Sequence, residues 1–494
     1  MRALDQLSAL KGRFGRDAAR QAAALLERLR YAKFRDPAEL IHLHEDLLFL
    51  RAYPPSPRVL RLADEILFSF SDRLRGVDEE PFQDPEISGI AGTSLSTNFS
   101  YETARSLAAR HGRRIRIDWE NYEHAGRLGP VLARLLPLAA EDWAVEPHPD
   151  WKRWFDAARG SVAWLTERLA PDVYDSLEIP LRWTLGDSAA ARSRTRISRE
   201  KIFYHTTPFL KRSEISLEAE FASPAIAVKR VPPPRAKKIL ELIADTSAVR
   251  YRELYGFTHP DPGHVYRADL GRGVDIVFCG VPDRWRLPLR AYHCGMFFKN
   301  GVPIGYIEGL SLFERMEVGF NLYYTFREGE TAWLYARLLK LFRHDLGVTC
   351  YSIDPYQLGR ENEEAIESGA FWFYRKLGFR PVSDEVGRLV AREEEKIASR
   401  PGYRTPPAIL RRLAQAPLIY GGGHEWDRFE VRKIGYKIGR GGNVEPWRAL
   451  LRGIPGVTAK AIIRAKHAPE ETGYLKLLQR QAKIRRAVLR LGSL

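Results

Sequence analysis

The stretch SGAFWFYRKLGFRPV, residues 368–382, sets four consecutive aromatics, Phe371 to Tyr374, ahead of Arg375 and Lys376 and then stops at Gly378. Two readings are open. The rings form a wide apolar helix face packed against a sheet, or the Tyr374 hydroxyl works at a site. Along EVGFNLYYTF (317–326), Glu317, Asn321 and Tyr323 fall on one strand face by the period of two. A carboxylate there serves as a base or stands as a solvated strand-end glutamate. Ser352 and Asp354 close the strand-like VTCYSIDP, and the C-terminal ends of strands in open α/β sheets gather ligands. Asp354 precedes Pro355, so a turn explains it equally well. RYRELYGFTHPDPGHVYR (250–267) offers Tyr251, Tyr255, Phe257 and His259. Aromatics with a few polar groups suit a substrate pocket, and they also suit a surface loop.

Other chemistries find less. His42 and His44 stand two apart on a helical stretch and face different directions, which disfavours a shared metal, and His293 and Cys294 point to opposite faces of a strand. GIAGTS lacks the lysine and preceding buried strand of a phosphate loop, and no Gly-x-Ser-x-Gly elbow occurs. The three cysteines, Cys279, Cys294 and Cys350, lie in apolar strand-like runs without Cys-x-x-Cys spacing. They read as core thiols, not as a disulfide framework, a zinc site or nucleophiles. No metal is expected.

The chain's 494 residues allow several domains, and 45% hydrophobic residues can build full cores. No apolar run reaches the roughly 18 residues of a membrane span, and the N-terminal stretch does not read as a secretory signal. A reducing, cytoplasmic compartment is the expectation. The net charge of +16 is concentrated: residues 424–494 carry 16 Lys and Arg against 6 Asp and Glu. Such a segment attracts polyanions, nucleic acid among them, or is simply a solvated basic surface. Within it, GIPGVTAKAIIRAK superficially resembles a helix–hairpin–helix DNA element.

The elements that must hold these residues follow from periodicity. Residues 1–200 read as mostly helical, with RRIRIDW as one short strand and GIAGTSLSTNFS as a loop. EISLEAEFASPAIAVKRV reads as strand-like within a connector, 201–234. From 235 to 420 the pattern is a helix, a β-rich meander with an Asn300-Gly301 hairpin turn, a helix over 331–347, a strand, the aromatic helix and a last strand, FRPV. Residues 421–494 read as a basic helical extension. The expected class is α/β: a mixed-sheet core, a mainly helical N-terminal domain and a basic helical C-terminal extension.

The order of elements over residues 235–385, together with Ala370, Tyr374, Gly378 and Phe379 in the spacing Ala-x-x-x-Tyr-x-x-x-Gly-Phe, resembles the GNAT superfamily of N-acyltransferases. NGVPIGYIEG resembles the family's third strand with its hairpin. The resemblance implies transfer of an acyl group, acetyl first among candidates, from acyl-CoA to a small-molecule or protein amine. It implies that Leu322, Tyr323 and Tyr324 line the pantetheine arm. It puts the pyrophosphate on the loop Arg327, Gly329, Glu330, Thr331 and Ala332. It makes Tyr374 the proton donor to the leaving thiolate and Glu317 the base, with Tyr251, Tyr255, Phe257, Asn321 and Asp354 on the acceptor side. Two positions depart from the pattern: Glu330 stands where the family's loop has glycine, and Glu367 where it has asparagine. Relatives of this fold that use aminoacyl-tRNA, or bind nothing reactive, are the alternatives these departures keep open.

Overall fold

The computed structural model describes residues 2–146, 150–286, 289–427 and 471–492. The chain forms two compact units. One comprises Met1–Thr207 with Lys238–Thr258, and the other comprises Pro208–Lys237 with His259–Leu494. The segment 208–237 joins the second unit, and 238–258 returns to the first. Most of the basic extension, with its GIPGVTAKAIIRAK stretch, lies outside the described residues.

The first unit packs helices around a small sheet. Helix α1 (Pro37–Ala52) starts on Asp36, whose side chain accepts from the Ala38 amide, with Pro37 at its first position. Strand β1 (Ser94–Asn98), helix α2 (Tyr101–His111), and strands β2 (Ile115–Ile117) and β3 (Pro180–Thr184) follow. The sheet order is β1-β3-β2, all antiparallel. β1 forms where a loop was expected. SLSTN has weak apolar alternation, and its strand character comes from pairing with the buried Leu181 and Trp183 of β3.

In the second unit, helix α3 (Leu217–Ala222) replaces most of the expected strand after 213. Ser216 caps it by accepting from the Ala219 amide, and LEAEFA then continues as helix. Only β4 (Val228–Arg230) is extended there. Helix α4 (Pro233–Ala248) begins in the second unit and runs on into residues of the first, and after Thr258 the chain returns to the second unit as the meander β5 (Val265–Gly271), β6 (Val274–Gly280), β7 (Ala291–Lys299), β8 (Val302–Leu312) and β9 (Arg315–Leu322). Asn300 and Gly301 both take positive φ, 48° and 85°, as the two-residue turn between β7 and β8 requires. Helix α5 (Thr331–Leu346) crosses over to β10 (Cys350–Ile353), which lies parallel to β9. Short helices α6 (Pro355–Leu358), α7 (Glu363–Glu367) and α8 (Ala370–Arg375) precede β11 (Arg380–Pro381). A further strand, β12 (Leu418–Gly421), inserts antiparallel between β10 and β11. Among the described residues nine strands run β4-β5-β6-β7-β8-β9-β10-β12-β11, a mixed sheet in which β9 and β10 pair in parallel. β12 escaped the sequence reading because four apolar-leaning residues after a long helical stretch carry little period-two signal.

Helix α9 (Glu471–Gln479) packs on β6 and β7. Glu471 accepts from the Tyr292 amide at 2.9 Å and pairs with Arg286 at 2.6 Å. Among the described residues, no helix is long and apolar enough to cross a membrane.

Candidate active site

The aromatic run divides its work. Phe371 and Tyr374 are buried, whereas Trp372 and Phe373 are half-buried. The Trp372 ring nitrogen donates to Thr405 Oγ1 at 3.0 Å. Gly378, at φ 98°, ends the segment in a conformation that disfavours a side chain. α8 is only six residues long, and its place is set by packing. The Tyr374 ring meets Tyr335 of α5 at 5.5 Å and Phe379 at 5.8 Å, both edge-on. Burial pushes the Tyr374 phenol well above its ordinary range. Its hydroxyl donates, at 3.5 Å, to Gln357 Oε1 on α6.

Gln357 stands at the opening of the sheet. β9 and β10 pair over only three positions, Arg315 with Cys350, Met316 with Tyr351 and Glu317 with Ser352. Past Glu317, β9 runs on to Leu322 with β8 as its partner, while β10 ends at Ile353. Parallel pairing therefore stops where β10 ends, and β9 from Val318 to Leu322 has no strand partner on that edge among the described residues, a break in the ladder that forms a wedge beside α6. Gln357 reaches into it: a side chain on Gly319 would come within 3.3 Å of its Nε2.

One face of the sheet beside the wedge is half-buried and polar. Asn321 lies opposite Tyr306, Gly319 opposite Glu308, and Glu317 opposite Leu310. The Asn321 amide donates to the Tyr306 hydroxyl at 3.2 Å, and the Tyr292 hydroxyl donates to Glu308. Glu317 is half-buried and has no hydrogen bond or ion pair among the described residues. Arg315, two residues back on the same face, is buried, and its Nε donates to Ser352 Oγ at 3.2 Å. Asp354 caps α6 through the Tyr356 amide, the turn role its proline neighbour suggested.

At the other lip, Tyr324 is 66% exposed and Tyr323 is buried. The Leu322 carbonyl is taken by Arg327 Nε at 3.1 Å, and Arg327 also pairs with Glu364. Glu330 is buried at the N-terminus of α5, and it turns away from the helix amides. Arg272 holds it through two contacts, at 2.8 and 2.6 Å, and the Leu210 amide donates to it at 3.0 Å. The amides of Thr331, Ala332 and Trp333 have no acceptor among the described residues.

The aromatic loop is shared between the two units. Tyr251, Tyr255 and Phe257 belong to the first unit. There the Tyr251 hydroxyl donates to Gln83 Oε1 at 2.6 Å, Phe257 is buried, and Tyr255 is 45% exposed. His259 starts the second unit's share and stacks on Trp285 at 4.0 Å. Sequence reasoning missed Gln357, Tyr335, Glu308 and Tyr306, because a lone glutamine after a short strand carries no spacing signal. It also missed a Ser-His-carboxylate series in the first unit. His44 Nε2 lies 2.8 Å from Ser193 Oγ, and His44 Nδ1 lies 3.0 Å from Glu45 Oε1. His44 and Ser193 are both sealed from solvent, burial lowers His44 to about 4, and Ser193 Oγ also accepts from the Ala91 amide. That series ties α1 to the chain around residue 193 and gives no substrate a way in.

No family model, curated protein or solved structure matches the chain.

Proposed function

We propose that the chain is a GNAT-type N-acyltransferase that moves an acyl group from acyl-CoA directly to an amine. The observation that carries the reading is the stop in β9–β10 pairing after a three-residue parallel register, with the α5 crossover between them. A ladder that breaks at the carboxyl ends of its strands offers an extended donor arm unpaired backbone groups and an entry to the sheet interior. The Glu330 departure is compatible with it. Arg272 neutralises that carboxylate away from α5, and the free amides of Thr331 to Trp333 remain a helix N-terminus suited to phosphate.

In this reading the amine sits on the polar face and Glu317 removes its proton, directly or through one water. The nitrogen attacks the thioester carbonyl. The C–N bond forms, the C–S bond breaks, and the thiolate leaves past Tyr374. A buried phenol whose pKa is raised keeps its proton. Tyr374 therefore acts first by keeping its proton on Gln357 Oε1, which holds the wedge beside the departing sulfur.

Thermal unfolding with and without acetyl-CoA and longer acyl-CoAs tests the reading. A donor at about 100 times its dissociation constant adds about 2.7 kcal/mol of stability. No shift with any acyl-CoA at millimolar concentration would sink the acyltransferase proposal. A response to tRNA alone, lost as salt rises, would replace the donor with an aminoacyl-tRNA.

A further inference from the structure

We infer that Tyr335 and Gln357 form a carbonyl-binding pair in the wedge between β9 and β10, donating to the oxygen of the acyl group being transferred. The inference rests on the acyltransferase reading and names two residues which that reading does not require.

Tyr335 lies on the inner face of α5 and is fully buried. Its ring meets Phe320 at 5.1 Å and Tyr374 at 5.5 Å, both edge-on. Phe320 is three residues past the last β9–β10 pair, so Tyr335 packs beneath the stretch of β9 that has lost its parallel partner. The Tyr335 hydroxyl has no hydrogen-bond partner among the described residues. Leaving a buried donor unsatisfied is unfavourable, and phenylalanine would fill the same aromatic nest without that cost. The neighbouring ring positions are in fact filled by Phe320, Phe373 and Phe379. A hydroxyl retained there has a partner that arrives with a ligand.

Gln357 supplies the second donor. Its Oε1 is engaged by the Tyr374 hydroxyl, which orients the amide and turns Nε2 toward Gly319. Nε2 has no acceptor among the described residues. Glycine at 319 lets Gln357 approach β9 this closely, since an added side-chain carbon would lie 3.3 Å from Nε2. Tyr374 thus touches both members: its ring packs on Tyr335 and its hydroxyl fixes Gln357. A thioester carbonyl in the wedge gains two donors, and both strengthen as the oxygen takes on negative charge during attack. The class of ligand is an acyl thioester, recognised by its carbonyl.

The test compares wild type, Tyr335→Phe and Gln357→Leu by turnover with acetyl-CoA and by binding of two non-reacting probes. One probe is CoA itself. The other is a CoA thioether bearing a ketone in place of the thioester carbonyl. The expected result is a fall in kcat of about 10²–10³ for each variant with little change in KM. Affinity for the ketone should fall about tenfold while affinity for CoA stays the same. Tyr335→Phe should unfold no earlier than wild type, because it removes an unsatisfied group. Variants that turn over and bind the ketone like an active wild type overturn the inference and leave the acyltransferase reading standing. A wild type that binds neither probe overturns both.

Discussion

The buried pair at the N-terminus of α5 gives the sharpest forecast, because one change should move stability and binding in opposite directions. Glu330→Gln keeps the shape of the side chain and one oxygen for the Leu210 amide, but it removes the charge that Arg272 meets through two contacts. Breaking a buried ion pair by deleting one partner costs about 3–5 kcal/mol. The Arg272 side chain retains 22% exposure, so water recovers part of its solvation. The expected loss is about 2 kcal/mol, which for a unit of this size lowers the melting temperature by about 4 °C. The same change removes a negative charge beside the proposed pyrophosphate and takes its carboxylate partner from Arg272. At ~8 Å and an effective dielectric of ~20, one such charge is worth about 2 kcal/mol, and Arg272 already cancels part of it. Acyl-CoA affinity should therefore rise by about tenfold, measured by isothermal titration at two ionic strengths. A variant with unchanged melting and unchanged affinity would refute the assignment of Glu330 as a neutralised neighbour of the phosphate site. A variant that loses acyl-CoA altogether would mean that Glu330 helps to build the site.

Glu317→Gln should leave the fold intact and cut turnover by about 10² at saturating substrate, as expected on removing a general base; an unchanged rate would remove Glu317 from the chemistry. Gly305→Ala should destabilise by about 1–3 kcal/mol in urea unfolding, because the new carbon lies 2.3 Å from the Asn321 carbonyl and must push β8 off β9; a neutral result would show that the strands separate easily. Glu471 forecasts a pH effect. Burial, outweighing the Arg286 guanidinium, raises it from an ordinary 4.5 to about 7. Between those values the folded chain binds more protons than the unfolded one, so stability is full below 4.5 and falls as pH rises to 7. The loss is about 3 kcal/mol at most. Glu471→Gln should flatten that window in urea melts at pH 5 and pH 7, and equal slopes for the two proteins would discard the assignment.

The sequence determined the parts whose signal is local. Leu334, Leu338 and Leu341 at helical spacing fixed α5, Asn300-Gly301 fixed the β7–β8 turn, and Gly378 fixed the stop after the aromatic run. Burial of Cys279, Cys294 and Cys350 was equally legible from their apolar neighbours. Where period and cap chemistry disagreed, the cap won. Ser216 started a helix in a segment whose alternation suggested a strand.

Tertiary structure decided what depends on partners far along the chain. β1 is a strand because β3, more than 80 residues later, offers it a ladder. β12 inserts between two strands that precede it, an order that no local pattern encodes. The division of RYRELYGFTHPDPGHVYR between two units follows from contacts made elsewhere. The candidate site shows the same split. Glu317 and Tyr374 could be singled out by type and position. That Glu330 turns to Arg272, that Gln357 enters the wedge and that the Tyr335 hydroxyl lacks a partner are facts of packing. A side chain's chemical type is written in the sequence. The state of its hydrogen bonds depends on which distant groups the fold brings within 3 Å or so.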